Sequence, residues 1–375
     1  MVECVDVCRV KCHFGRTGKV ADIMRVLVYL GHPAHFHLFK NVIDELQNRN
    51  HTVKILIKKK DVLEDLLQSS GMEYLNILPE GRKDTTLGMF VGMLKRDFRI
   101  LRYAMFKKID LMVGTSVELS HVGKLLNIPV LNTNEDDASV VPLYAKLSYP
   151  LSTRILSPDT CENGKWEYKT VKYKGYHELA YLHPCNFCPS AEVVEKYFRS
   201  DTRFFIIRLA SLTAHHDKGI KGIDTDFARR LVNTLTPMGN VYISSERPLE
   251  KEFEKYRILI DPMDMHHVLA YASIYIGDSQ TMAAEAGVLG TPFIRINDFV
   301  GRIGYLRELE EKYKLGYGVL PENKEEVFKI LKALMRLKNM KAEFHHRRQK
   351  MLADKTDVSH FLTSYIETFI ATDDK

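Results

Sequence analysis

No stretch of the 375-residue sequence approaches the roughly 18 uninterrupted apolar residues that a membrane-spanning helix needs, because charges break every long hydrophobic run. The chain is therefore expected to be soluble. Cysteine is scarce, six residues in all, which excludes a disulfide scaffold and points to a reducing compartment. The opening 23 residues lack the continuous apolar core of a secretory signal, so export is not expected. The net charge is only +6, too small an excess to argue for nucleic-acid binding, although it suits phosphate-bearing ligands or an anionic membrane surface. Short internal repeats and low-complexity tracts are also missing. What is present is 45% hydrophobic and 10% aromatic residues, ample for a folded globular protein, and the length suggests about two domains.

The hydrophobic pattern alternates between short β-rich runs and helical spacing. From Met24 the first half reads as strands at 25–30, 53–57, 110–114 and 129–133, with helices at 61–70, 86–107, 117–127 and up to about 147 between them. A polar connection over 158–190 follows. The pattern then restarts with strands at 203–209, 240–244, 257–260, 273–277 and 291–296, and the stretch 322–372 is charged, periodic and without strand signal. Strands alternating with helices imply right-handed crossovers and parallel sheets covered on both faces. The organisation expected is an extension over 1–23, with Met24 an alternative translation start, then Rossmann-like domains over 24–177 and 178–345 and terminal helices over 346–375.

Open α/β sheets bind ligands outside the carboxyl ends of their strands, so the loops after the apolar runs are where chemistry belongs. Gly31-His32-Pro33-Ala34-His35-Phe36-His37 follows the first strand and opens a helix. Gly31 allows a ligand close, and His32 and His35 offer a hydrogen bond or a base, with capping or packing the ordinary alternative for any one histidine. Gly277-Asp278-Ser279-Gln280-Thr281 precedes a helix carrying Glu285. Free amides and the helix dipole suit a diphosphate there, and the carboxylate suits ribose hydroxyls, although Asp or Ser also caps ordinary helices. The polar loop after strand 203–209 holds Ser211, Thr213, His215 and His216, suited to phosphate or sugar. Glu135, Asp136 and Asp137 end the strand at 129–133 and include a candidate general base or simply form a solvated turn. Cys4, Cys8 and Cys12, and the pair Cys185 and Cys188, have metal-like spacing but no complete ligand set, so no metal site is expected. The basic, aromatic-bearing stretch 93–108 suits either an anionic membrane surface or an ordinary amphipathic crossover helix.

The segment from Asp278 to Ala286, followed by Gly290-Thr291-Pro292, resembles the D-S-G-G-x-x-x-E-A…G-x-P signature of UDP-N-acetylglucosamine 2-epimerases, with Gln280 and Thr281 in place of the two glycines. The chain from Met24 resembles more closely the family catalogued as domain of unknown function 354. The marks are the loop from His32 to Lys40, Asn134 to Ala138, Gly175 to Pro184, the loop from Ala214 to Gly219, and Asp278-Ser279. The resemblance implies a GT-B fold, two Rossmann-like domains facing across a cleft, and a glycosyltransferase-like protein whose reaction is unassigned. It also implies that Glu285 holds ribose, that His215 or His216 matches a histidine of the epimerases, and that Glu135 matches their first-domain glutamate.

The expected function is metal-independent transfer of a sugar from a nucleotide sugar, a UDP-sugar first, to a glycan, lipid-linked or small-molecule acceptor, with no further cofactor. Ser279, Thr281 and the 211–216 loop would hold the donor, and His35, Glu135 or His216 would move protons. A nucleotide-sugar 2-epimerase and a non-catalytic nucleotide-sugar-binding protein are the alternatives. The expected location is the cytoplasm or the inner face of its membrane.

Overall fold

The computed structural model describes residues 23–60, 62–79, 86–199, 202–210 and 222–373. Its strands are β1 (Arg25–Leu30), β2 (Thr52–Ile57), β3 (Tyr74–Asn76), β4 (Leu111–Gly114), β5 (Val130–Thr133), β6 (Arg154–Pro158) and β7 (Thr170–Tyr173). They continue with β8 (Phe204–Leu209), β9 (Asn240–Ser245), β10 (Ile274–Gly277), β11 (Phe293–Ile296) and β12 (Gly316–Val319). The described residues form two compact units, one holding those from Ile23 to Tyr181 together with those from Thr356 to Asp373, the other those between Leu182 and Lys355.

In the first unit seven parallel strands run in the order β3-β2-β1-β4-β5-β6-β7. Apolar residues fill the middle strands because helices cover both faces: Val26, Leu27, Val28 and Leu30 of β1 have essentially no exposure. The order reverses between β1 and β4, and that reversal opens a crevice at their carboxyl ends. Gly114 is required there, since a Cβ would stand 2.8 Å from the Tyr29 carbonyl oxygen. The C-terminal helix Val358–Asp373 belongs to this unit and packs on the helix Pro33–Asn48. Glu367 pairs with Arg49 and lies 3.5 Å from His51 Nε2, and the Thr356 N–H donates to the Lys174 carbonyl at 2.8 Å.

In the second unit five parallel strands run β12-β11-β10-β8-β9, with the reversal between β8 and β10. The loops after these two strands are those singled out from the sequence. The helix Met340–Asp354 packs here, Arg348 Nε donating to the Val288 carbonyl at 2.7 Å.

One expected strand does not form. Residues 257–260 make only an isolated bridge, Arg257 to Ile243, and Leu259 is 81% exposed, so this apolar run lies beside the sheet edge without joining it. Strands β3, β6, β7 and β12 were not anticipated; β3 is three residues long, and β7 lies inside what reads as a polar connection.

Candidate functional site

At the carboxyl edge of the first sheet the three histidines of the opening loop have three different tasks. His32 is the N-cap of the helix Pro33–Asn48, its Nδ1 accepting from the Ala34 N–H at 3.2 Å, with Pro33 in the first turn, where a missing N–H costs nothing. His37 is buried, its ring centroid 5.2 Å from that of Tyr181. His35 Nδ1 accepts from the Gly31 N–H at 3.1 Å, which assigns the ring proton to Nε2. Although an edge of the side chain stays accessible, desolvation, reinforced by His32, His177 and Lys58, holds its pKa well below the usual histidine value. His35 is thus a neutral ring that donates through Nε2. The atoms nearest a Cβ at Gly31 would be Tyr29, Lys58 and His35 carbons at 3.4 to 3.8 Å, ordinary van der Waals contacts beside that ring.

Beyond β5 the turn is braced by Asn134, which donates to the Asp136 carbonyl at 2.9 Å and to the Tyr149 hydroxyl at 2.7 Å. It is also braced by Asp137, which accepts from the Glu162 N–H at 2.7 Å. Glu135 is thereby aimed at His177, which follows β7. Glu135 Oε2 accepts from the His177 N–H at 3.1 Å, and Oε1 lies 3.4 Å from His177 Nδ1. The far nitrogen, His177 Nε2, is buried and has no hydrogen-bond partner among the described residues. A carboxylate at Nδ1 and an unoccupied Nε2 form the arrangement of an oriented base. His35 and Glu135 are therefore brought to one edge, with His177 beside both; its only trace in the sequence is its place in Gly175-Tyr176-His177-Glu178. Nearby Glu118 is structural: burial acts to raise its pKa, but Arg96 (Nε to Oε1, 2.6 Å) and the Ser116 hydroxyl (2.6 Å) bring it below the usual carboxylate range.

In the second unit Gly277 pairs in register with Arg208 of β8. A Cβ on Gly277 would stand 2.5 Å from the Tyr275 hydroxyl oxygen and 2.9 Å from Arg208 Cβ, so no side chain fits without displacing them. Arg208 donates to Ser244 Oγ at 2.6 Å and pairs with Glu246, while its Nε is buried without a partner among the described residues. Asp278 does not present a ligand-facing carboxylate. Its side chain has no exposure and accepts from the Ala210 N–H at 2.6 Å and the Ile223 N–H at 3.2 Å, with Arg247 at 3.8 Å, and burial raises its pKa. It ties together the two ends of the 211–221 loop. Ser211, Thr213, His215 and His216 fall within that loop and lie outside the described residues.

Ser279 is the N-cap of the helix Gln280–Leu289, its Oγ accepting from the Met282 N–H at 3.4 Å. Gln280 and Thr281 open the first turn, where backbone N–H groups have no carbonyl within the helix to bond and the dipole is positive. Glu285, further along that helix, is buried against His266 of the helix Met265–Tyr271, Oε1 to Nε2 3.0 Å, with 7% of its side chain exposed. Cys185 and Cys188 are exposed and form no disulfide among the described residues.

Residues 24–302 match the model of a protein family described as a protein of unknown function, DUF354. The chain belongs to the DUF354 family. No curated protein sequence matches this DUF354 protein. Among solved structures it is similar to MnaA of S. aureus in a structure with UDP, at TM-score 0.66 and 13% identity over 93% of this chain and 97% of that one. It is also similar to the UDP-GlcNAc 2-epimerase of Neisseria meningitidis bound to UDP-GlcNAc, at TM-score 0.62 and 16% identity over 93% and 100%. The spinosyn forosaminyltransferase SpnP gives TM-score 0.62 at 14% identity over 93% and 99%. These likenesses establish that the DUF354 protein has the GT-B fold shared by glycosyltransferases and UDP-GlcNAc 2-epimerases.

Proposed function

We propose that this DUF354 protein is a glycosyltransferase that passes a sugar from a nucleotide sugar, a UDP-sugar first, to an acceptor hydroxyl. The observation that carries the reading is the junction of β10 with the helix Gln280–Leu289, where a capped first turn, a half-buried Arg208 and a buried carboxylate two turns in converge at the sheet's reversal. A diphosphate would accept from the Gln280 and Thr281 amides and from Arg208, and Glu285, steadied by His266, would hold the ribose. UDP in the MnaA structure and UDP-GlcNAc in the meningococcal enzyme support a nucleotide sugar as the ligand class.

The acceptor oxygen attacks the anomeric carbon, the bond from that carbon to the diphosphate oxygen breaks, and the acceptor proton passes to His177 Nε2 while Glu135 stabilises the resulting imidazolium. The nucleoside diphosphate leaves carrying negative charge, which the helix terminus and Arg208 offset. His35 contributes an Nε2–H donor to the sugar or acceptor. The base proposed is thus neither His35, Glu135 nor His216, the residues expected from the sequence, but the histidine beside Glu135. The few cysteines and a nucleotide-sugar donor support a cytoplasmic reaction, with a glycan, a lipid-linked saccharide or a small molecule accepting the sugar.

The test is incubation of the full chain with UDP-N-acetylglucosamine, with and without acceptor mixtures, followed by mass spectrometry of nucleotide and sugar products. UDP is expected only when an acceptor is present, and His177→Gln is expected to slow its release by roughly 10²- to 10⁴-fold, the range for losing a general base. UDP and the 2-epimer formed without any acceptor would contradict transfer and identify an epimerase.

A further inference from the structure

The helix Thr86–Lys107 presents two unlike faces. Ile100 and Ala104 are buried in the core with Leu27, Met112 and Leu119, as in any crossover helix. The outer face carries Val91, Leu94, Phe98, Met105 and Phe106, between 41% and 77% exposed, and their spacing repeats at three, four and seven residues. Such a continuous outward apolar stripe is unusual on a lone soluble surface. Lys95, Arg102, Lys107 and Lys108 are exposed along the same helix and its end. The helix's one acid, Asp97, is engaged by His121 at 3.0 Å. Beside its last turns lies a cavity of about 440 Å³ with walls from Leu75, Pro79, Tyr103 and Phe106 and cations Arg102 and Lys107 at its edge. No helix among the described residues is long and apolar enough to cross a membrane.

We infer that this face lies on the surface of an anionic lipid bilayer, with the aromatic and aliphatic stripe in the headgroup–acyl boundary, the cations on lipid phosphates, and the cavity open to a lipid tail. Amphipathic helices with aromatic anchors and cationic flanks bind in this way, their apolar face sinking roughly 5–10 Å below the headgroups. Charge decides against a second copy as the occupant, because self-pairing would bring the same cations face to face, whereas an anionic surface complements them. Each cation near such a surface adds about fivefold to the partition coefficient.

Vesicle flotation of the full chain tests the inference, comparing pure phosphatidylcholine with phosphatidylcholine containing phosphatidylglycerol. The protein is expected to float with the anionic vesicles and much less with the neutral ones. Raising salt from about 0.1 M to about 1 M, which shortens screening from roughly 10 Å to roughly 3 Å, is expected to release a large share of it. Phe98→Ser with Phe106→Ser, and separately Arg102→Glu with Lys107→Glu, are each expected to lower the bound fraction at least about tenfold with unchanged circular dichroism and melting, since all four side chains face outward. Failure to float on anionic vesicles, or equal flotation of both variants and the native chain, would overturn the inference. A stable dimer by sedimentation that Phe98→Ser with Phe106→Ser dissociates would also overturn it, assigning the stripe to a second copy.

Discussion

His35 and Glu285 show how far residue type alone carries a functional reading. His35 is a histidine at a strand end, but the Gly31 N–H on Nδ1 and the crowding around its ring make it a neutral donor. A histidine whose folded pKa lies below its unfolded value binds fewer protons folded than unfolded. Its effect is absent above the unfolded pKa of roughly 6.5 and destabilises the fold as pH falls below it, by at most about 1.4 kcal/mol per pH unit. Urea midpoints measured from pH 7.5 to 5 are therefore expected to fall less steeply for His35→Gln than for the native protein; parallel curves would refute the assignment. Gly31→Ala is expected to leave the melting temperature nearly unchanged, because the new methyl meets only ordinary contacts, while weakening whatever ligand approaches His35. Of the candidate site residues, His35 and Glu135 were legible from their places after strands, and Glu285 from its place on the helix that follows Gly277. His177 and Arg208 were given no role, because what marks them is the contact of His177 with Glu135 and the register of Arg208 against Gly277, and spacing within one strand carries no information on either.

At the scale of elements, the junctions between strand and helix decide the site. The Asp278 carboxylate holds the Ala210 and Ile223 amides, so Asp278→Ala leaves one buried and one half-buried donor without that acceptor and is expected to cost about 1–3 kcal/mol, read as a lower urea midpoint. Ser279→Ala removes an N-cap, with an expected cost of about 0.5–2 kcal/mol by the same measurement. The long amphipathic and buried elements were readable from periodicity alone, including β1, β2, β8 and the helix Thr86–Lys107. The failures are equally physical. Residues 257–260 have the composition of a strand but meet the open edge of β9 at one bridge only, and the three-residue β3 and partly exposed β7 are too short or too polar to leave a hydrophobic period.

At the scale of the molecule, two parallel sheets each place a candidate ligand loop at the point where strand order reverses, and a reversal of that kind is where open α/β sheets accept ligands. The return of the C-terminal helix Val358–Asp373 to the first unit was not readable from its sequence, which shows only helical spacing; Arg49–Glu367 and the Thr356–Lys174 hydrogen bond mark its place. The central claim is that a nucleoside diphosphate binds at the start of the helix Gln280–Leu289. Calorimetric titration of UDP into the full chain, the Arg208→Ala variant and the Glu285→Gln variant tests it most directly. Saturable binding by the native protein, weakened at least about tenfold in each variant as expected for a charged hydrogen-bond partner lost from a ligand, is the predicted result. No binding by the native protein, or an affinity that neither substitution changes, would contradict it.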